Sequence, residues 1–359
     1  MPETFLILVI NPGSTSTKIS VFENDREVWE SKLKHSVEEL GVFDRIIDQY
    51  DFRKEVILRE LEKAGFEIGK FSCIVGRGGV LMPIEGGTYR VTDKLLDDLR
   101  AEVQGTHVSN LGAPIAIELA GVAGCEAFIV DPVVVDEMEP PARYSGHPLI
   151  RRRSIFHALN QRAVARKACH ETGREYSESN LIVAHLGGGI SVGAHSRGRV
   201  IDVNNGLNGD GPFTPERTGG LPSADLAALC FSGDYTHEQV KKMIKGEGGM
   251  VAYLGTNDMV EVEKEITAGN DEWLEVYYAM AYQIAKEIGG LSAVLSGDVD
   301  LIVISGGVAH DEKFIGWIRE RVGFIAPVMV YPGEMEMEAL AQGGLRVLRG
   351  LEQAKTYKG

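Results

Sequence analysis

The chain has 359 residues, 44% of them hydrophobic and 25% charged, with a formal net charge of -15. That length suits two domains with a core each, and the acidic excess excludes a nucleic-acid partner, whose phosphates need clustered Lys and Arg. No apolar run reaches membrane-spanning length and Met1-Pro-Glu-Thr opens directly onto a strand, so the sequence predicts no membrane partner, no targeting segment and a cytoplasmic protein. The 4 cysteines, Cys73, Cys125, Cys169 and Cys230, are scattered without a C-x-x-C pair and read as buried thiols in a reducing compartment.

Residues 5–10 form an apolar run that predicts a buried strand, and residues 17–22 alternate with β-branched side chains as a second. Asn11-Pro-Gly-Ser-Thr-Ser16 joins them. A turn of small and polar residues displays N–H groups and hydroxyls at a strand tip, where a phosphate can approach. Asn11 can reach a metal-bound water there, Ser14 and Ser16 can donate to phosphate oxygens, and Lys18 can supply a point charge. The competing reading is an ordinary polar hairpin, and the chain contains no Walker loop.

A third strand follows at 27–32, then a helix at 43–63 that stops at Ala64-Gly65. A strand at 71–75 runs into Gly76-Arg77-Gly78-Gly79, with another at 88–91, helices at 95–103 and 113–123, and a strand at 127–130 ending on Asp131-Pro132. This alternation indicates an α/β domain. The breaker-rich Pro140 to Pro148 stretch reads as a plain linker rather than a lid, which puts the first domain at 1–150 and the second at 151–339. Arg151-Arg152-Arg153 reads as the solvated entrance, or a subunit contact, of a helix over 154–171 that carries His157.

The second half repeats the plan of the first: a strand at 181–184, the turn His185-Leu-Gly187-Gly188-Gly189, and strands at 190–194 and 199–203. The glycine-rich stretch 204–222, with Phe213-Thr-Pro-Glu-Arg217-Thr-Gly219, is too long a loop to be idle. Helices follow at 224–231, 237–244, 259–266 and 271–296, then a strand at 301–304 into Ser305-Gly306-Gly307. A helix at 314–322, a strand at 328–331 and a helix at 336–349 complete the chain. Three apolar strands thus end in small-residue turns. Two such turns can grip a polyphosphate, and the third can let flat adenosine lie against bare backbone.

Asn11-x-Gly-Ser-Thr-Ser-x-Lys18 resembles the first signature of the acetate and butyrate kinase family. Leu181-Ile-x-x-His185-x-Gly-x-Gly189-x-Ser191-Val-x-Ala194-x-x-x-Gly198 resembles its second. Asp131-Pro, Phe156-His157, Arg217-Thr-Gly219 and Ser305-Gly-Gly307 extend the resemblance over nearly the whole chain, and His107-Val-Ser-Asn-Leu-Gly-Ala-Pro114 is similar to the butyrate branch. The resemblance implies an α/β fold of two actin-like (ribonuclease H-like) domains. Each would be a five-stranded mixed sheet flanked by helices, with a nucleotide cleft between them and the helix at about 340–359 packed back on the first. It also implies a homo-oligomer.

The chemistry implied is reversible phosphorylation of butanoate, or a similar short or branched acid, by ATP to an acyl phosphate and ADP. An acetate or propionate kinase is the alternative in the same family, and an actin-like or chaperone-like ATPase the alternative outside it. Transfer to a carboxylate needs positive groups that screen two anions and hold them in line. Arg77 and Arg217 sit in glycine-rich loops, and their planar forks suit carboxylate and phosphoryl oxygens. The resemblance assigns Arg77 to the carboxylate and Arg217 to the phosphoryl group.

His157 matches the family histidine that stabilises the transition state, with a satisfied core histidine as the other reading. Asp131 by resemblance orients the reacting groups, and His185 orients its turn or donates to a phosphate. ATP brings Mg²⁺, which keeps its waters and takes one or two carboxylates; Asn11 and Glu336 are expected on the metal side, with Glu334 as the alternative carboxylate. Where acetate kinases carry a Leu-His-Asn-Pro motif, this chain reads Val108-Ser109-Asn110-Leu111. Ser109 in place of the imidazole leaves room for a longer acyl chain.

Overall fold

The computed structural model describes residues 4–359. The chain divides into two compact units: the described residues up to Val135 together with Met335–Gly359, and Asp136–Glu334. The division falls at 135/136 rather than near 150, so the breaker-rich stretch lies inside the second unit. It is not a bare linker there, because Tyr144–His147 pairs antiparallel with Ile150–Arg151 as a small hairpin.

The first unit is built on β1 (Leu6–Pro12), β2 (Ser16–Glu23), β3 (Arg26–Lys34), β4 (Cys73–Arg77), β5 (Thr88–Arg90) and β6 (Glu126–Val130). β3, β2 and β1 pair antiparallel, and β4 and β6 continue parallel to β1, which explains the near-continuous apolar runs at 6–10 and 73–75. The expected five-stranded sheet is in fact seven-stranded, because β5 adds antiparallel to β6 and a short strand, Lys355–Thr356, adds to β5. Side chains alternate across β1. Leu8 and Ile10 join the core with Ile57, Leu61 and Ala116, while Ile7 faces the helix Glu336–Leu348.

The second unit repeats this plan. Its strands are β7 (Tyr144–His147) and β8 (Ile150–Arg151) of the hairpin, then β9 (Asn180–Leu186), β10 (Ile190–Ser196), β11 (Arg199–Val203), β12 (Leu301–Gly306) and β13 (Val328–Pro332). Five of them form a mixed sheet ordered β11-β10-β9-β12-β13, the counterpart of β3-β2-β1-β4-β6. One face packs on the helix Asp271–Val294, through Tyr277, Met280, Ile284 and Ile288, and on Glu312–Val322. The other face packs on Ala158–Glu171. Two α/β units of this topology are the fold class expected from the sequence.

Other expectations need correction. The helix expected over 43–63 starts at Tyr50 after a single 3₁₀ turn, Ile46–Gln49, and the one expected from 154 starts at Ala158. His157 is therefore the residue before a helix, with φ -79° and ψ 59°, rather than part of one. Cys230 is exposed, not buried, because the helix Ser223–Cys230 buries none of its residues. No helix among the described residues is long and apolar enough to cross a membrane.

β4 delivers Arg77 through a close approach of two backbones. A Cβ on Gly76 would meet the carbonyl of Gly112, and a Cβ on Gly112 the carbonyl of Arg77. Gly112 opens the helix Gly112–Ala123, where alanine is ordinarily preferred. Gly112→Ala should destabilise the protein by about 2 kcal/mol, as overpacking does. Gly121→Ala, in the same helix with nothing within 4 Å of the added Cβ, should stabilise it by about 0.5 kcal/mol. Denaturant titrations giving the same sign for both variants would contradict the contact.

Candidate functional site

The first unit gathers its expected site residues at the tips of β1 and β4. Asn11 is the penultimate residue of β1, and its Nδ2 donates to Oε2 of Glu336 at 2.8 Å. Oε1 of the same carboxylate pairs with Nη1 of Arg77 at 2.5 Å. The first turn, the arginine loop and the late carboxylate thus meet, and of the two candidate carboxylates it is Glu336 that reaches Asn11. An amide oxygen and a carboxylate are hard donors of the kind Mg²⁺ takes. Among the described residues no group of three or more His, Cys, Asp or Glu forms a metal cage.

The loop after Arg77 is held by Asn110, whose Oδ1 accepts from Val80 N at 2.9 Å. Beside it Ser109 is buried, its hydroxyl 2.7 Å from Nδ1 of His107. Asp131 is also buried, with φ 38°, a left-handed conformation uncommon outside glycine. It is locked to Gly87 in both directions: Oδ1 accepts from Gly87 N at 2.6 Å, and Asp131 N donates to Gly87 O at 3.1 Å. Lys18 lies within the hairpin and pairs with Glu30 on the neighbouring strand at 2.7 Å.

Arg53 was not expected here. It is fully buried and its guanidinium collects oxygens of the first turn: Nη1 donates to the carbonyls of Gly13 at 2.9 Å and Ser16 at 3.1 Å and to the Thr17 hydroxyl at 3.0 Å. Burial lowers its pKa to about 10, which leaves it charged at neutral pH. A cation that binds the carbonyl side of the turn fixes the turn's shape without occupying the N–H side. The signal was present in the sequence, since Arg53 stands at helical spacing with Ile57 and Leu61 on the apolar face.

In the second unit three strands end abreast. The β9–β10 register places Ser191 opposite His185, and the β9–β12 register places Ser305 opposite His185. His185 Nδ1 lies 3.3 Å from Ser305 Oγ. The ring of His157 stacks on that of His185 with centroids 4.1 Å apart, and His157 Nδ1 lies 2.8 Å from Ser191 Oγ. His157 is half-buried; His185, Ser191 and Ser305 are buried. The expected histidine thus sits over the second turn, with His185 behind it.

Arg217 completes this cluster. Its Nη1 donates to the carbonyl of Gly206, its Nη2 pairs with Glu216 at 3.4 Å, and a Cβ on Gly189 would collide with Nη1. Glycine at 189 is what allows the guanidinium to lie against the turn. Burial lowers the arginine's pKa, and the charge of Glu216 opposes that shift. The loop 204–222 is ordered by two residues the sequence did not single out. Thr214 Oγ1 donates to Gly188 O at 2.7 Å, and buried Asn204 donates to Ile190 O at 3.1 Å while accepting from Val192 N at 2.6 Å.

A chain of buried polar groups runs back from Ser191. Gln161 Nε2 donates to Ser191 O at 2.9 Å and to Ser191 Oγ at 2.8 Å, Gln161 Oε1 lies 3.0 Å from His195 Nε2, and His195 Nδ1 lies 2.8 Å from Tyr176 Oη. His195 is fully buried. Burial, then the charges of Arg162 and Arg166, hold its pKa well below 6.5, the value of an ordinary imidazole.

The sequence model described as the Acetokinase family matches residues 139–325. Solved structures similar to this one include the acetate kinase of Porphyromonas gingivalis, with a TM-score of 0.80, 19% identity, and coverage of 96% of this chain and 100% of that one. The propionate kinase of Francisella tularensis has a TM-score of 0.73 at 18% identity over 94% of this chain and 98% of its own. The acetate kinase of Entamoeba histolytica has 0.72 at 17% over 94% and 98%. These likenesses extend the two-unit fold over nearly the whole chain.

The state of His195 makes stability depend on pH. The unfolded chain takes up a proton at this imidazole as pH falls below 6.5, and the folded chain does not. Its contribution is therefore complete above that pH and is lost in acid, at about 1.4 kcal/mol per pH unit. Urea titrations between pH 7 and pH 5 should show a shallower decline for His195→Gln than for the parent. Equal slopes would contradict a neutral buried His195.

Proposed function

The chain belongs to the acetokinase family, whose members are phosphotransferases with a carboxyl group as acceptor, and from that premise we propose that it phosphorylates butanoate, or a similar short or branched aliphatic acid, with Mg²⁺-ATP by direct in-line transfer. The observation that carries the proposal is the guanidinium of Arg217 laid against the glycine turn beside the His157–His185 stack. A fixed, partly desolvated cation at a phosphate turn is the element that transfer between two anions requires.

A carboxylate oxygen attacks the γ-phosphorus. The new O–P bond forms as the bond from phosphorus to the β,γ-bridging oxygen breaks, and ADP leaves with the electron pair. A carboxylate is ionised at neutral pH and needs no general base. Arg217 neutralises charge on the moving phosphoryl group, and His157 donates a hydrogen bond to it. Arg77 holds the acid, since a guanidinium has five N–H donors, more than its pair with Glu336 takes. Asp131, locked to Gly87, keeps the strand end beside Arg77 in place.

The turns Asn11–Ser16, His185–Gly189 and Ser305–Gly307 receive the nucleotide, the first through Ser14 and Ser16, the second through the N–H groups of Gly187, Gly188 and Gly189, and the third through the bare backbone of Gly306 and Gly307. Mg²⁺, when bound, neutralises phosphate charge, and Asn11 and Glu336 are the residues that would hold its waters. Lys18 braces the hairpin through Glu30 in this reading. The longer acyl chain is supported by Ser109, a hydroxyl where the resemblance to acetate kinases places an imidazole.

Initial rates trapped as hydroxamates for acetate, propionate, butanoate and isobutanoate at fixed Mg²⁺-ATP test the reading. kcat/KM should rise toward the four-carbon acids by roughly tenfold or more per methylene, the range one buried methylene can supply. A maximum at acetate would overturn the chain-length assignment, and rates independent of any acid would overturn the kinase. Arg217→Ala should lower kcat by about 100- to 1,000-fold, as loss of a transition-state donor does, with nucleotide binding retained. Near-normal turnover would remove Arg217 from its role.

A further inference from the structure

We propose that Gln161, seated on the carbonyl of Ser191, fixes the proton of His157 on Nε2 by way of the Ser191 hydroxyl. The Ser191 carbonyl can only accept, so the end of the Gln161 amide 2.9 Å from it is NH₂. That fixes the amide orientation, which distances alone do not distinguish. Its second N–H goes to Ser191 Oγ at 2.8 Å. A further donor, the His157 backbone N–H, points at the same oxygen at 3.4 Å.

Ser191 is fully buried, and a hydroxyl has one hydrogen to give and two lone pairs to receive with. Both neighbours that donate to Oγ are accounted for. The hydroxyl hydrogen must go to the remaining partner, His157 Nδ1 at 2.8 Å, because a buried donor without an acceptor is costly. Nδ1 therefore accepts, and the neutral ring carries its proton on Nε2. The imidazole presents an N–H donor, the form suited to a phosphoryl oxygen that gains charge.

The far end of the amide is buttressed in the same way. Gln161 Oε1 accepts from His195 Nε2, so the neutral His195 accepts at Nδ1 from the hydroxyl of Tyr176. The pKa of His195, lowered by burial and by Arg162 and Arg166, keeps that ring neutral. A Cβ on Gly193 would lie 2.8 Å from Gln161 Oε1 and 3.4 Å from His195 Nε2, so the relay occupies the room a side chain there would need. Gln161 touches no reacting atom; it is a positioning residue, and so is Ser191.

The tautomer can be read without turnover, so its test is independent of the reaction proposed above; only its catalytic consequence rests on that reading. In the ligand-free protein labelled with ¹⁵N-histidine, the His157 pair, assigned by its loss in His157→Gln, should show a protonated Nε2 and an unprotonated Nδ1 at pH 7.5. A proton on Nδ1 in the parent protein would overturn the proposal, whether or not Gln161→Met folds. In Gln161→Met the Ser191 hydroxyl is released and a mixture of tautomers should appear. Persistence of the single Nε2–H form in a folded Gln161→Met protein would also overturn it. Kinetically, Gln161→Met should lower kcat about tenfold or more with KM for acid and nucleotide within about threefold, the pattern of a misplaced proton donor. Equal losses in kcat and KM would mark a merely structural glutamine.

Discussion

A guanidinium can be laid against a phosphate-sized turn only where the turn has no side chains, and the second unit is arranged to satisfy that condition. Arg217 lies where a Cβ on Gly189 would be, and its Nη1 is donated to the carbonyl of Gly206. Holding a cation away from water is costly unless its donors are used. The long loop 204–222 supplies the partners: Gly206 O, the Glu216 carboxylate, and the Thr214 hydroxyl that clips the loop to Gly188. Remove the glycine and the arginine moves; remove Thr214 and the loop carrying both Glu216 and Arg217 loses its anchor.

The same economy appears in the first unit with the polarity reversed. There the cation is behind the turn. Arg53 takes the carbonyls of Gly13, Ser14 and Ser16, while Asn11 and Arg77 share the carboxylate of Glu336. Each unit thus begins its sheet with a strand, a small-residue turn and a returning strand, and each holds that turn with a buried or half-buried arginine.

Much of this was legible in the sequence because the governing signals are local. Apolar runs at 5–10, 181–184 and 301–304 read as strands, and the small residues after them as turns. The paired topologies β3-β2-β1-β4-β6 and β11-β10-β9-β12-β13 are the duplication that the repeated pattern suggested. What was hidden depends on partners distant in sequence. The short strand Lys355–Thr356 extends the first sheet only because β5 offers it an edge, and two residues carry no periodicity. His157 looked helical because Ala158–Glu171 follows it, whereas its hydrogen bond to Ser191 holds it in the non-helical position before the first turn. Arg53 stands on the apolar face of its helix, but what a charge does there shows only from its partners, some 40 residues earlier. Asn204 and Gln161 have no sequence signature, since an amide in a core is recognisable only by what it satisfies.

In the proposed reaction a carboxylate, not water, receives the phosphoryl group. Phosphorus-31 NMR of the protein with Mg²⁺-ATP, with and without butanoate, tests it most directly. An acyl-phosphate resonance should grow with ADP at equal rate and only when butanoate is present. Release of inorganic phosphate at the same rate with and without the acid, and no acyl-phosphate signal, would contradict it.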